Sequence, residues 1–144
     1  MSVYVDYVIL KTAYNESLRN LKDALDKQEE AFTRTLPNAI RYDLQKVLHS
    51  PSTTSPLDDY VMDNEYLEQK IRQARVILIQ RKEMLDLKAQ ELKQSKNIDD
   101  RIFWLKYVEL LTVENIAIRM NYSEGNIYYH LGKIKHELRK NRLL

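Results

Sequence analysis

Cysteine is absent from the 144 residues. That excludes a disulfide framework, a thiol nucleophile and a thiolate metal site, and it fits an intracellular protein. Glycine occurs only at Gly125 and Gly132, and proline only at Pro37, Pro51 and Pro56. So few turn residues argue against an all-β or doubly wound fold, and there is no glycine-rich loop to cradle a phosphate or a dinucleotide. No apolar run reaches the roughly eighteen residues of a membrane helix, and the N-terminus lacks a basic stretch followed by an apolar core. Neither a membrane span nor a signal peptide is therefore expected, and the expected compartment is the cytoplasm. The histidines are few as well. His130 and His136 have no cysteine or carboxylate pair at metal-ligand spacing, and His49 stands apart from both, so no metal, cofactor or catalytic group is expected and the chain does not read as an enzyme.

What is abundant is Leu, Lys, Glu, Gln and Arg, a composition that favours long helices and an all-α fold. The formal net charge is only +2, but it is unevenly placed. Residues 1–57 carry seven basic and seven acidic side chains, residues 58–100 eight and ten, and residues 101–144 eight and four. A basic C-terminal third on a balanced chain points to a polyanionic partner.

Along the chain, a first amphipathic helix is expected from about Val3 to Arg34, with Tyr4, Tyr7, Tyr14, Leu18, Leu21, Leu25 and Phe32 near one stripe. The opening residues Val3 to Ile9 favour strands individually, but no partner strand follows, so helix is preferred. Pro37 is expected to end this helix, and Ile40, Leu44, Val47 and Leu48 mark a short second one. The Ser, Thr and Pro residues of His49 to Pro56 read as a loop. From about Leu57 to Lys96 the pattern is helical again. Leu67, Ile71, Ala74, Leu78, Leu85 and Leu92 form a coiled-coil-like seam, interrupted by Arg81 and Lys88. That seam fits either a long-helix hairpin with the first helix or pairing with a second copy in a homodimer. Ser95 to Asn97 reads as a linker, and Asp99 or Asp100 as the cap of an apolar helix through Leu110, with Trp104 as its core anchor. These segments predict two domains: a helical oligomerisation or interaction module over 1–96, with its loop at 49–56, and a helix-turn-helix domain over 97–144.

The C-terminal pattern carries the functional reading. Thr112 can cap a helix from Val113 to Met120, Asn121 and Tyr122 make a tight turn, and Ser123 can cap a second helix from Glu124 to about Arg142. Ile116, Met120, Tyr122, Ile127, Leu131, Ile134 and Leu138 have the spacing of a packed face, and Ala117 is small where the helices would cross. Asn121 stands at the turn position usually given to glycine, and asparagine is the next best residue for a left-handed backbone. With that face inward, Glu124, Asn126, Tyr128, Tyr129 and Lys133 point wholly or partly outward as candidates for the major groove, since Asn can pair with adenine and Tyr can meet a thymine methyl or a phosphate. Lys133, Lys135, Arg139, Lys140 and Arg142 would supply charge for the DNA backbone, and Ser123 would bring a helix N-terminus to a phosphate. Gly132 inside the second helix costs about 1 kcal/mol relative to alanine, which predicts a close packing or backbone approach there.

Residues 101–140, RIFWLKYVELLTVENIAIRMNYSEGNIYYHLGKIKHELRK, resemble the promoter-reading fourth-region domain of bacterial sigma factors, in the apolar helix, the T-x-x-x-I-A, the turn, the S-x-x-x-I and the terminal L-R. The layout of a polar helical first half before this segment resembles the ArpU and RinA families of phage late-gene transcription activators. The resemblance implies sequence-specific binding of double-stranded DNA near a late or packaging-gene promoter, and activation with host RNA polymerase at the bacterial nucleoid. Asn121 in place of glycine and the Tyr128–Tyr129 pair depart from the common pattern. No sigma-type promoter-melting region is evident, which favours an activator over a stand-alone sigma factor.

Plainer readings stand beside these. The two helices could be packing alone, Tyr128 and Tyr129 could be half-buried surface aromatics, and Glu124 could serve only the helix dipole. The mixed charges of residues 63–96 read as a solvated helical face. Two other functions share the pattern: a small-terminase-like DNA-packaging protein, whose reader usually comes first in the chain, and a helical adaptor whose basic tail binds an acidic protein.

Overall fold

The structure is a computed structural model that describes the backbone of residues 2–49 and 56–144 and the side chains of residues 2–32 and 64–144. The described residues are all-α. Five helices, α1 (Val3–His49), α2 (Pro56–Gln94), α3 (Ile98–Phe103), α4 (Val113–Met120) and α5 (Glu124–Lys140), are joined by short connections, and a π-helical turn, Trp104–Val108, continues α3. No helix among the described residues is long and apolar enough to cross a membrane.

α1 corrects the expected break at Pro37, because the helix runs unbroken for 47 residues to His49. A proline withholds one backbone hydrogen bond, and a helix this long has enough others on either side to continue through it. The anticipated loop also narrows, since His49 belongs to α1 and Pro56 opens α2 at the position where a missing N–H costs nothing. Residues 50–55 and the side chains of Ile40, Leu44, Val47 and Leu48 lie outside the described residues.

The chain forms two compact units, residues 15–80 and residues 1–14 together with 81–144. In the first, the inward positions on α1 are Ser17, Leu21, Ala24, Gln28 and Ala31, and those on α2 are Asn64, Leu67, Ile71, Ala74 and Leu78. Both sets alternate steps of four and three. Among the described residues of this unit only Ser17 and Ile71 are buried, and Gln28 Nε2 donates to Asn64 Oδ1 at 3.2 Å. A polar pair inside an apolar seam favours one register, because a slip breaks the bond between the two amides, although Asn64 also donates to Glu68 on its own helix at 3.2 Å. Of the expected α1 stripe Leu21 is inward here, while Leu18, Leu25 and Phe32 are exposed, since the 3.5-residue seam passes through the residues just before them.

The second unit holds most of the core. Ile102, Phe103 and Leu105 from α3 and the π turn, Ile116 and Ala117 from α4, and Ile127, Leu131, Ile134 and Leu138 from α5 are buried together. Tyr4, Val5 and Tyr7 from the start of α1 and Leu92 from the end of α2 complete the same cluster. The buried aromatic anchor is Phe103, not Trp104. Its ring stacks on Tyr4 at 5.4 Å and lies 6.0 Å from Tyr7 and 5.0 Å from Tyr107, while Trp104 is half-buried and donates through Nε1 to Glu109 Oε1 at 3.2 Å. The two charges that interrupt the α2 seam are paired: Arg81 donates to the Ala13 carbonyl at 2.8 Å, and Lys88 meets Glu91 at 2.9 Å and Asp6 at 3.8 Å.

Candidate nucleic-acid interface

The end of the core unit is built from three capped helix starts. At α3 the cap is Asn97, whose side chain accepts from the Asp99 N–H at 2.9 Å, and neither Asp99 nor Asp100 takes that role. Both aspartates fall in the first turn, where the helix dipole favours them, and their side chains face other partners. Asp100 is buried and accepts from Ser95 Oγ at 2.7 Å. After the π turn the backbone reverses at Leu110, with φ of 58°. Thr112 then caps α4 by accepting from Asn115 N–H at 3.3 Å.

The α4–α5 connection follows the expected chemistry closely. Asn121 is left-handed, with φ of 59°, and its N–H closes the last turn of α4. Tyr122 N–H donates to the Ala117 carbonyl at 3.0 Å, and Ser123 caps α5 by accepting from Asn126 N–H at 3.2 Å. A short side chain able to bond its own backbone suits each cap, and asparagine tolerates the one position where φ is positive. Met120 is half-buried and Tyr122 is 37% exposed, so Tyr122 lies at the edge of the packed face.

Ile127, Leu131, Ile134 and Leu138 turn one side of α5 into the core, which leaves two adjacent rows outward. One carries Glu124, Tyr128, Gly132, Lys135 and Arg139, and the other Gly125, Tyr129, Lys133, His136 and Lys140, each at successive helical turns. Tyr128 and Tyr129 are 62% and 64% exposed, more than a half-buried structural role requires. Lys135, Arg139 and Lys140 are exposed, with Arg139 and Lys140 in the last turn where cations meet the negative helix end. Asn126 is half-buried, so it points only partly outward. α5 stops at Lys140, so exposed Arg142 lies beyond the helix, with φ of 59°. Gly132 contradicts the expectation of a close intrachain approach, since a Cβ there would meet nothing within 4 Å, and the same is true of Gly125.

No family model, curated protein or solved structure matches the chain.

Four polar side chains not anticipated as part of this surface, His130, Asp99, Arg119 and Glu109, border it. The imidazole Nδ1–H of His130 donates to Asp99 Oδ1 at 2.7 Å, an assignment that follows because an ionised carboxylate can only accept. Lys133 Nζ lies 3.5 Å from the other Asp99 oxygen, so this candidate phosphate contact is already partly satisfied. Arg119 on α4 pairs with Glu109 at 2.9 Å, the same carboxylate that accepts from Trp104. Asp99 and His130 are 31 residues apart, and no local pattern announces their pairing. Among the described residues no group of His, Asp and Glu could hold a metal ion.

Proposed function

We propose that the chain is a sequence-specific double-stranded DNA-binding transcription regulator that reads the major groove through the outward face of α5. One observation carries this reading: two capped helices joined by a left-handed Asn121 turn, the second presenting exposed Tyr128 and Tyr129 among Lys133, Lys135, Arg139 and Lys140. Helix-turn-helix readers place their second helix in the groove in this way, with aromatic and amide groups toward base edges and cations toward phosphates. Ser123, Glu124 and Asn126 stand at the leading end of that helix, and Arg142 extends the basic charge past its last turn.

In this reading the long helices serve as an antiparallel hairpin for self-association or for contact with host RNA polymerase, and the protein is a phage or prophage late-gene activator working in the bacterial cytoplasm at the nucleoid. Exposed Val76, Ile77 and Ile79 on α2 support an interaction role for the module. They equally suit the oligomerising helices of a packaging protein, and the solution mass separates these: a monomer or dimer for a regulator, a ring of many subunits for packaging.

The test is selection from a pool of random duplexes, followed by titration of the enriched and random sequences at two salt concentrations. An enriched sequence bound at least about a hundredfold more tightly than random duplex, with affinity falling steeply as salt rises, is expected. Folded protein that enriches nothing would instead identify the C-terminal helices as a protein-interaction module.

A further inference from the structure

Four side chains at the border of α3 and α5 form a closed circuit. Asp99 Oδ1 accepts from His130 Nδ1 at 2.7 Å, and Asp99 Oδ2 lies 3.5 Å from Lys133 Nζ. Lys133 Nζ sits 5.8 Å from the centre of the Tyr129 ring, and that ring meets the His130 ring edge-to-face at 5.4 Å. Exposure grades across the circuit: the side chains of His130 and Asp99 are 15% and 20% exposed, that of Lys133 is 52%, and Tyr129 is 64% exposed as a residue.

An acidic group on this border is at first sight misplaced. A carboxylate beside a surface that binds a polyanion repels the ligand, and it draws the Lys133 charge away from any phosphate. Its contacts offer a compensating role. Tyr129 has one side free to solvent, and an exposed tyrosine on a helix samples several rotamers unless something holds its ring. Here the His130 ring and the Lys133 ammonium both lie against that ring, and Asp99 fixes both of them from a separate helix. Groups held by partners off their own helix reach a ligand already oriented, and a base contact needs that orientation more than a phosphate contact does.

We infer that Asp99 is a positioning residue for sequence readout: through His130 and Lys133 it holds Tyr129 in the geometry that discriminates among base pairs, at the expense of general affinity for DNA. This rests on the reading of α5 as a DNA-binding helix. A carboxylate with only a structural role, or one that merely adds negative charge, does not produce the opposed effects on selective and general binding that follow.

The experiment compares wild type with Asp99→Asn, using the duplex enriched by wild type from a random pool and an unselected random duplex, each titrated over a range of salt. Asparagine keeps the shape and the backbone N–H that Asn97 accepts, but removes the charge that holds Lys133. Expected are tighter binding to random duplex, a logarithmic salt slope steeper by about 0.9 as Lys133 becomes free for one more phosphate, and a drop of about tenfold in the ratio of selected to random affinity, the scale of one base contact. A ratio unchanged while both affinities rise would overturn the inference and leave Asp99 as a charge near the DNA. If Asp99→Asn lowers both affinities together with helicity, His130→Gln decides, because it opens the circuit and retains the carboxylate: a fall in the ratio supports positioning, and an unchanged ratio overturns it. A folded wild type that enriches no sequence overturns the DNA-binding reading itself, which the variants do not test.

Discussion

Gly132→Ala should make the protein more stable, and the size of the gain can be worked out from the site. The glycine lies in the interior of α5, its φ is not positive, and an added Cβ meets no atom within 4 Å. Nothing therefore opposes the ordinary helix-propensity difference between glycine and alanine, about 1 kcal/mol. Unfolding entropy near the melting temperature is about 2.1 cal/mol/K per residue. If the unit of residues 1–14 and 81–144, roughly 80 residues, melts on its own, Tm rises by about 6 °C, and if all 144 residues melt together the rise is about 3 °C. Thermal unfolding followed by circular dichroism measures this directly, and the size of the shift also reports which unit is cooperative. An unchanged or lowered Tm would refute the reasoning, because it would mean that position 132 is not open in the folded protein. A mobility-shift titration of the same variant adds a second reading. If the outward rows of α5 approach DNA closely at the two glycines, the methyl group weakens binding even as it raises Tm.

Two further outcomes follow. Asn121→Ala should cost about 1 kcal/mol, since alanine at a left-handed position carries a penalty that asparagine largely escapes, whereas Asn121→Gly should not destabilise; denaturant unfolding of both variants checks the contrast. Alkaline stability should depend on Tyr4, whose pKa is raised, first by burial, against a lowering hydrogen bond from Ser2, with Glu137, Asp99 and Asp100 raising it further. The folded protein then keeps a proton that the unfolded chain releases near the ordinary tyrosine value of about 10, so this contribution is fully present below that pH and is lost as pH rises through the higher folded value. Tyr107, raised by burial, acts in the same direction. Tm measured from pH 8 upward should fall above about pH 10, and less steeply in Tyr4→Phe.

The local chemistry of this chain was legible before its structure. Scarce glycine and proline specified helices, Thr112 and Ser123 specified two helix starts, and Asn121 marked the left-handed residue between them, because caps and backbone conformation depend on near neighbours in sequence. The apolar spacing of α5 likewise indicated which side turns inward, and so which residues could form an outward surface. Misreadings came where a local rule met a longer-range effect. Pro37 carries a helix-ending signal that the length of α1 overrides, and Leu18 looked like a seam residue until the register of the pair put Ser17 there instead.

Only tertiary structure decided what comes from afar. Tyr4, Val5 and Tyr7 lie about a hundred residues before the aromatic and aliphatic side chains that bury them, and nothing in their own sequence identifies that destination. Phe103, rather than Trp104, became the anchor because the π turn and the aromatic cluster at the start of α1 enclose one ring and leave the other at the edge. Asp99 reads along the chain as a candidate helix cap, a role that Asn97 takes instead. Its pairing with His130 and Lys133 exists only because α3 packs on α5, and side-chain partners across a packed interface are set by geometry that no periodicity encodes.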